Sequence, residues 1–419
     1  MTTNNTKQVA IIGAGIIGIN CAIALQKRGY EVTVFDHRPV GEGCSKANAG
    51  HFATEQVFPL AEFSLLGQLP YMLLNPLGPV AISMRYFPKA IPWFCQFIAN
   101  MRKSKREENT KALRSLNERA IASYQSLLQE AKASDLFINQ GSLLVFENTP
   151  LEQIKQQQKR YLAQDVKVEL LNKAQLKQLE PNISDNINYA LHFTEVAHTC
   201  NPLALTQALA KYACSIGVKL CQEEVSAVNH YDQGINLVTA HQTHCFDKLV
   251  LATGAWSKKL TSALGYRLPI ESERGYSLDL PKNTANTFTR PIASAERKFI
   301  ITPMRDGLRL AGTAEFAGLT KPMNVKRVEM LYNNASYIIK DIIKRKAVSS
   351  EGWVGCRPSL PDSLPVIGKA PKHENIILAL GHQHLGLTLG AITGTLVGQI
   401  IDNDKTEVDI RPFCISRFN

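Results

Sequence analysis

One stretch near the start of the chain constrains its fold more than any other. Val9-Ala10-Ile11-Ile12 is an apolar run with β character, and it leads directly into Gly13-Ala14-Gly15-Ile16-Ile17-Gly18. A helix-compatible segment follows, then a second β-like run from Glu31 to Phe35, closed by Asp36. This order predicts a βαβ unit whose glycine-rich turn faces a dinucleotide. Gly13 permits the tight turn, Gly15 lets backbone approach a pyrophosphate, and Gly18 lets helix and strand pack closely. Ile16 and Ile17 open the helix, whose free N–H groups and positive dipole end suit phosphate oxygens. Asp36 is placed to accept hydrogen bonds from ribose hydroxyls. An ordinary strand-to-helix turn would explain the glycines, but not the carboxylate at this distance.

The chain has 419 residues, 45% of them hydrophobic, enough for a large core and two domains. Its formal net charge of +11 would suit anionic membrane surfaces, acidic substrates or nucleic acid. No basic stripe interleaved with aromatics is present, which argues against nucleic acid. The nine cysteines are scattered, with no CxxC pair and no Cys/His metal spacing. Reduced thiols in a cytoplasmic compartment are expected, and no metal site. Met1 to Gln8 lacks the charged and apolar regions of a signal peptide.

Beyond the first unit the chain changes character. Between Phe63 and Met101 the only charged residues are Arg85 and Lys89, while Leu65, Leu66, Tyr71, Leu73, Leu74, Trp93 and Phe97 supply apolar mass. Pro70, Pro76, Pro79, Pro88 and Pro92 break any membrane-spanning helix, which needs about 20 continuous apolar residues. Arg102, Lys103, Lys105 and Arg106 follow at once. Residues 57–106 therefore read either as a peripheral membrane-contact surface or as a lid over a substrate site. An amphipathic helix is expected over 108–134, a strand over 140–146, charged helix over 150–180 and a strand near 193–198. Asn201-Pro202 starts a helix that Gly217 ends. Strands are expected at 218–220, 225–228 and 248–252, the last entering Thr253-Gly254-Ala255-Trp256. Residues 269–350 carry strand-like runs at 275–280, 298–303 and 308–312, then a helix of about 327–344. Ile376 to Leu380 reads as a strand feeding Gly381-His382-Gln383-His384-Leu385-Gly386, which opens a helix to about Asp402.

These pieces predict an α/β protein: a Rossmann-like domain from 1–56, 190–268 and 350–419, and a second, α+β domain of mainly antiparallel sheet from 57–189 and 269–349. Taken together, the chain resembles the FAD-dependent D-amino acid oxidase superfamily, above all its bacterial D-amino acid dehydrogenases. The resemblance rests on Ser45-Lys46-Ala47-Asn48-Ala49-Gly50, Ala252-Thr253-Gly254-Ala255-Trp256, Arg274-Gly275-Tyr276, Gly355-Cys356-Arg357-Pro358 and Gly381-His382 to Gly386. It implies that Gly13, Gly15 and Gly18 hold the FAD pyrophosphate and Asp36 the adenosine ribose. It also implies that Ser45, Asn48, Ala49 and Gly50 line the pyrophosphate and one flavin face. Val225 would contact adenine through its backbone, with Ala252, Gly254 and Trp256 nearby. Gly381, His382, Leu385 and Gly386 would set the last helix's N-terminus on the flavin pyrimidine. Arg357 matches the family's substrate-carboxylate arginine. Glycine oxidases can carry a second arginine where this chain has His384, which weakens a preference for glycine.

The implied chemistry is oxidative deamination of D-amino acids, with electrons passed to a quinone or other carrier. Glycine-, sarcosine- or D-hydroxyproline-type amine oxidation is the runner-up within the superfamily. A non-catalytic flavin-nucleotide-binding regulatory protein is the reading from another class. Arginine's planar fork grips a carboxylate through two parallel charge-assisted hydrogen bonds, which lysine cannot do. Tyr276 either caps the active site or fills a sheet face. His382 and His384 are either proton shuttles or satisfied histidines at a helix start. Arg274 is either a second clamp or a fixed point between domains.

Overall fold

The computed structural model describes residues 7–63, 67, 75, 77–231, 234–282, 287–342 and 352–418. Val9 to Ile12 are buried along their whole length, as befits a strand covered on both faces. This strand, β1 (Gln8–Ile12), pairs in parallel with β2 (Glu31–Phe35) on one side and with Lys248–Leu251 on the other. The full order of this six-stranded sheet is 366–370, 373–380, 248–251, 8–12, 31–35, 219–221. Only the pair 366–370/373–380 is antiparallel.

Helix α1 (Ile16–Lys27) connects β1 and β2. Its Ile16, Ile19 and Ile23 share one core with Leu389, Ile392 and Leu396 of the terminal helix Gly386–Asp402. That terminal helix is apolar around most of its circumference and correspondingly buried. Each such isoleucine or leucine contributes about 1.5–3 kcal/mol on burial. The two glycine-rich helix starts, far apart in sequence, are thereby locked side by side on one sheet.

A second sheet of nine strands runs in the order 352–359, 271–281, 307–316, 299–304, 292–294, 142–146, 189–193, 168–172, with 80–82 paired to 307–316. All its pairings are antiparallel except 292–294 with 142–146 and 80–82 with 307–316. Strands Tyr189–Phe193 and Gly352–Ser359 belong to this sheet, although segments 190–268 and 350–419 were expected to serve the nucleotide sheet.

Several local expectations are corrected. The charged segment 150–180 is not continuously helical: helices Leu151–Leu162 and Lys173–Leu179 flank a strand, Val168–Asn172. Asn172 closes that strand with a capping box to Gln175, which restarts the helix. The run expected at 225–228 is strand Ala227–Tyr231, the first of a three-stranded antiparallel sheet with 234–238 and 243–246. The run near 193–198 is two strands, Tyr189–Phe193 and Ala197–His198. The helix expected over 327–344 is Val325–Ala335, with 343–344 outside the described residues.

Of the apolar segment, Leu65, Leu66, Tyr71, Leu73 and Leu74 lie outside the described residues. The part described includes helix Phe87–Ala99, with Pro88 in its first turn and Pro92 inside. Trp93 anchors this helix: its indole N–H donates to the Ser359 carbonyl, and its ring lies against Phe97 and Phe316. No helix among the described residues is long and apolar enough to cross a membrane.

Candidate active site

The two sheets meet around a cavity of about 730 Å³, within the range of sites that bind cofactors and small molecules. One end is built by the first βαβ unit. Gly13, Gly15, Ile16, Ile17 and Asp36 all line the cavity. The Gly13 amide donates to the Phe35 carbonyl at 2.8 Å, which fixes the turn against β2. Asp36 accepts from the Ala14 amide at 2.8 Å and from the Arg38 amide at 3.0 Å, so its carboxylate braces the turn it was expected to complement. Gly18 does not line the cavity but backs directly onto Gly13: a Cβ there would lie 1.8 Å from the Gly13 carbonyl oxygen. Its role is close packing, as the spacing predicts.

The following loop contributes Ser45, Asn48 and Ala49 to the lining. Ser45 Oγ accepts from the Ile16 amide at 3.0 Å, taking up one of the free donors at the start of α1. Gly50 is set behind the lining, its carbonyl accepting from the Thr199 amide at 2.7 Å and its amide donating to the Asn48 side chain. Val225, Ala252, Gly254 and Trp256 line the same end. Arg38 sits over the Trp256 ring at 4.6 Å, a contact that no local sequence pattern signals.

Gly381, His382 and Gly386 bring the start of the last helix to the cavity, while Leu385 turns into the hydrophobic core. His382 lies within hydrogen-bonding distance (3.0 Å) of the Thr393 hydroxyl, and burial pushes its pKa down to about 3. His384 also lines the cavity and is held down to about 4, mainly by burial, with Glu273 opposing that shift and Arg357 adding to it. Both rings are therefore neutral across the physiological range. His198 is likewise depressed to about 4 by burial.

These histidines tie stability to pH. Their folded-state values lie below the ordinary 6.5, so between 6.5 and about 4 the unfolded chain binds more protons than the folded one. Their contribution is fully present above pH 6.5 and falls as pH drops through that window. Thermal melts are expected to show a falling Tm from pH 6.5 to about 4; a flat Tm there would remove the effect.

At the far end, strand Glu271–Pro281 pairs with Gly352–Ser359 in a register that sets Glu273 opposite Arg357 and Gly275 opposite Gly355. Arg357 lines the cavity with its side chain 25% exposed. Its Nη1 donates to Glu273 Oε1 at 2.8 Å and to the Thr313 carbonyl at 3.1 Å. Glu273 Oε2 accepts from the Ser359 hydroxyl at 2.9 Å. The guanidinium lies flat on Gly275, where a Cβ would come within 2.3 Å of Nη2. One edge of the fork is thus anchored, and among the described residues Nε and Nη2 have no hydrogen-bond partner.

Tyr276 borders the cavity, but its side chain is 1% exposed and its hydroxyl donates to Glu315 at 2.5 Å. Burial, then Glu315, pushes its pKa up to about 12. Its ring fills the sheet face beside Val328 and Leu278, so the hydroxyl is not presented to the cavity as a catalytic group. Arg274 is also buried, donating to the Pro322 carbonyl and lying 3.5 Å from Glu315; it braces the sheet rather than forming a second clamp. Cys44 donates to the Cys356 carbonyl at 2.6 Å and is raised to about 12 by burial, which makes it an inert thiol.

The donor set fits a flavin dinucleotide: a glycine turn with a bracing carboxylate at one end and a neutral, glycine-bounded helix start with an anchored arginine at the other. The family profile described as FAD dependent oxidoreductase (DAO) matches residues 8–400. The chain belongs to this family. FAD is the cofactor, and the protein is an oxidoreductase. The flavoenzyme is 33% identical over 419 residues to a D-amino-acid oxidase of Bradyrhizobium diazoefficiens, covering 98% of this chain and 99% of that one. It is 28% identical to a D-amino acid dehydrogenase of Vibrio atlanticus, covering 98% and 100%. A solved glycine oxidase from Geobacillus kaustophilus matches with a TM-score of 0.75 at 22% identity, covering 98% and 99%, and shares the fold.

Three charged or polar groups near Arg357 and His384 were not among the expected site residues: Glu273, His51 and Glu55. Glu273 is 84 positions from its partner Arg357, and no local pattern signals that pairing. His51 and Glu55 directly follow the Ser45–Gly50 motif, so their spacing was available in the sequence.

Proposed function

We propose that this flavoenzyme oxidises D-amino acids to imino acids, which water converts to 2-oxo acids and ammonia, and that it passes the electrons to a quinone or other carrier. When bound, FAD supplies the two-electron acceptor for the substrate's α-hydrogen. The observation carrying this reading is Arg357, whose Nε and Nη2 edge has no hydrogen-bond acceptor among the described residues while Nη1 is pinned by Glu273 and Thr313. A carboxylate fits that edge bidentately. Pinning the other edge orients the substrate's α-carbon, and fixed orientation of this kind lowers barriers by several kcal/mol or more. Glu273 balances the arginine's charge, so a bound carboxylate need not find a fully unpaired cation. The D-amino-acid oxidase and dehydrogenase relatives support the same substrate class.

Exposed residues in and around helix Phe87–Ala99 support a carrier at a surface. Met84 is 80% exposed, with Phe63, Ile91 and Ile98 also exposed, beside Arg85, Lys89 and Arg102. Apolar side chains interspersed with cations suit the surface of an anionic membrane, where quinones reside.

The test is anaerobic. D-alanine or D-proline is expected to bleach the yellow protein, and a quinone analogue to restore the colour faster in the presence of anionic vesicles. Bleaching by glycine or sarcosine alone would shift the activity to another amine. A flavin that no amine reduces would leave only nucleotide binding.

A further inference from the structure

His384 is a cavity-lining histidine whose ring the fold leaves uncommitted. Its neighbour His382 is engaged with the Thr393 hydroxyl at 3.0 Å and is wholly buried. His384 is partly exposed to the cavity, both its ring nitrogens keep accessible surface, and neither has a hydrogen-bond partner among the described residues. The local backbone sets this ring beside Arg357. Gln383 takes a left-handed conformation, φ +50°, which a non-glycine side chain rarely adopts. Two hydrogen bonds hold it there: its amide donates to the Pro358 carbonyl at 3.2 Å and its side chain to the Leu360 carbonyl at 2.8 Å. The turn before the last helix is thus pinned to residues just after Arg357. His384 accordingly feels the charges of Glu273, Arg357, Glu55 and His51 together. Burial keeps its imidazole neutral, so one nitrogen carries a proton and the other offers a lone pair.

We propose that His384 accepts a hydrogen bond from the substrate's amino group while Arg357 holds its carboxylate. This rests on the amino acid reading of the site. In an α-amino acid both groups sit on one carbon, so the amine must find its acceptor next to the Arg357 fork. Other side-chain acceptors near that fork are engaged or closed off. Glu273 accepts from Arg357 through Oε1 and from Ser359 through Oε2. Glu55 Oε1 lies 2.8 Å from His51 Nε2, and Glu55 Oε2 and Gln383 Oε1 are buried out of reach. The Tyr276 hydroxyl is turned to Glu315. His384 meets the amine with a lone pair, whereas a permanently charged side chain in its place would repel an ammonium. Two contacts on one carbon also fix where the α-hydrogen and the side chain point. With only the carboxylate held, the molecule can turn about its bond to the α-carbon, and the opposite hand gains access to a reactive pose. His384 is therefore a determinant of handedness as well as of affinity.

The test uses two ligands that the enzyme cannot oxidise. 2-Aminoisobutyrate carries a carboxylate and an amine but no α-hydrogen; isobutyrate has the same carbon skeleton without the amine. Each is titrated into the FAD-loaded protein, followed by the change in flavin absorbance, for wild type, His384→Phe and His384→Gln. His384→Phe is expected to shift the ratio of the two Kd values against the amine by about 10-fold or more, as loss of a hydrogen bond to a charged group requires. Its FAD content and its affinity for isobutyrate should match wild type. His384→Gln, whose amide oxygen can still accept, should recover most of the ratio. In steady-state assays His384→Phe should lower kcat/KM for D-alanine and narrow the gap between D- and L-alanine. An unchanged Kd ratio and an intact D preference in His384→Phe overturn the assignment, give the amine to a backbone carbonyl or water, and leave the amino acid reading standing. An equal loss of both ligands, not restored in His384→Gln, overturns it too, since the ring would then only shape the cavity. A wild type that no amino acid reduces overturns the amino acid reading and this assignment together.

Discussion

Gly18→Ala is expected to purify without colour. A Cβ at this position would lie 1.8 Å from the Gly13 carbonyl oxygen and 3.0 Å from its carbonyl carbon. The obstruction is backbone, so no side chain can rotate away; α1 itself would have to lift off the turn. The turn cannot yield on its other side, because Gly13 has φ +113° and already sits against the Ala252 backbone. Over-packing of this kind costs about 1–3 kcal/mol or more, and here it would fall on the helix-start amides proposed to hold the pyrophosphate. Each 1.4 kcal/mol lost from cofactor binding is about tenfold in Kd, so displacement of the helix start should reduce retained FAD to about a tenth or less. Gly29→Ala is the matched control: it takes a left-handed backbone position, φ +84°, but meets no atom within 4 Å. It should cost about 1 kcal/mol of stability and keep its flavin. The ratio of flavin to protein absorbance after purification, with melts of both variants, checks this. Full flavin content in Gly18→Ala would mean that the helix start does not set cofactor affinity.

What was legible in the sequence was whatever is encoded locally. The β1–turn–α1 unit is a contiguous string in which each glycine has one steric job, and the second glycine-rich helix start at 381–386 repeats the same local pattern. The strand in the middle of 150–180 was not legible. Charges on Glu169 and Lys173 flank Val168, Leu170 and Leu171, and the same string suits an amphipathic helix until its pairing with Tyr189–Phe193 is known. Tyr276 was ambiguous for a related reason: strand periodicity places it on one of two faces, and a register irregularity between Arg274 and Tyr276 decides which. Glu273 could not be inferred at all, because its meaning comes from the register that carries it across from Arg357. The glycine-turn end of the cavity is thus a local property of the sequence, whereas the Glu273–Arg357 pair is a property of the antiparallel sheet.

That division sets the second large expectation, Arg357→Lys. Lysine keeps the positive charge but replaces the fork with a single ammonium. It can still reach Glu273, so the glutamate is not left as a lone buried anion, and the flavin end of the cavity is untouched. The substrate loses a bidentate pair worth about 3 kcal/mol, given 1.5–3 kcal/mol for a hydrogen bond to a charged group. KM for a D-amino acid should therefore rise on the order of 10²-fold, at about 1.4 kcal/mol per tenfold, with FAD retained. Arg357→Ala removes the charge as well and leaves Glu273, among the described residues, held only by Ser359, a broken pair of the kind that costs about 3–5 kcal/mol. Its lower stability would blur any reading of KM, whereas in Arg357→Ala/Glu273→Gln the orphaned charge is gone and the loss of substrate affinity should persist. Gly275→Ala reaches the same group without altering it, since its methyl would strike the guanidinium at 2.3 Å. If steady-state kinetics show an unchanged KM in Arg357→Lys and in the double variant, the carboxylate is held elsewhere, and the free edge of the guanidinium serves the fold alone.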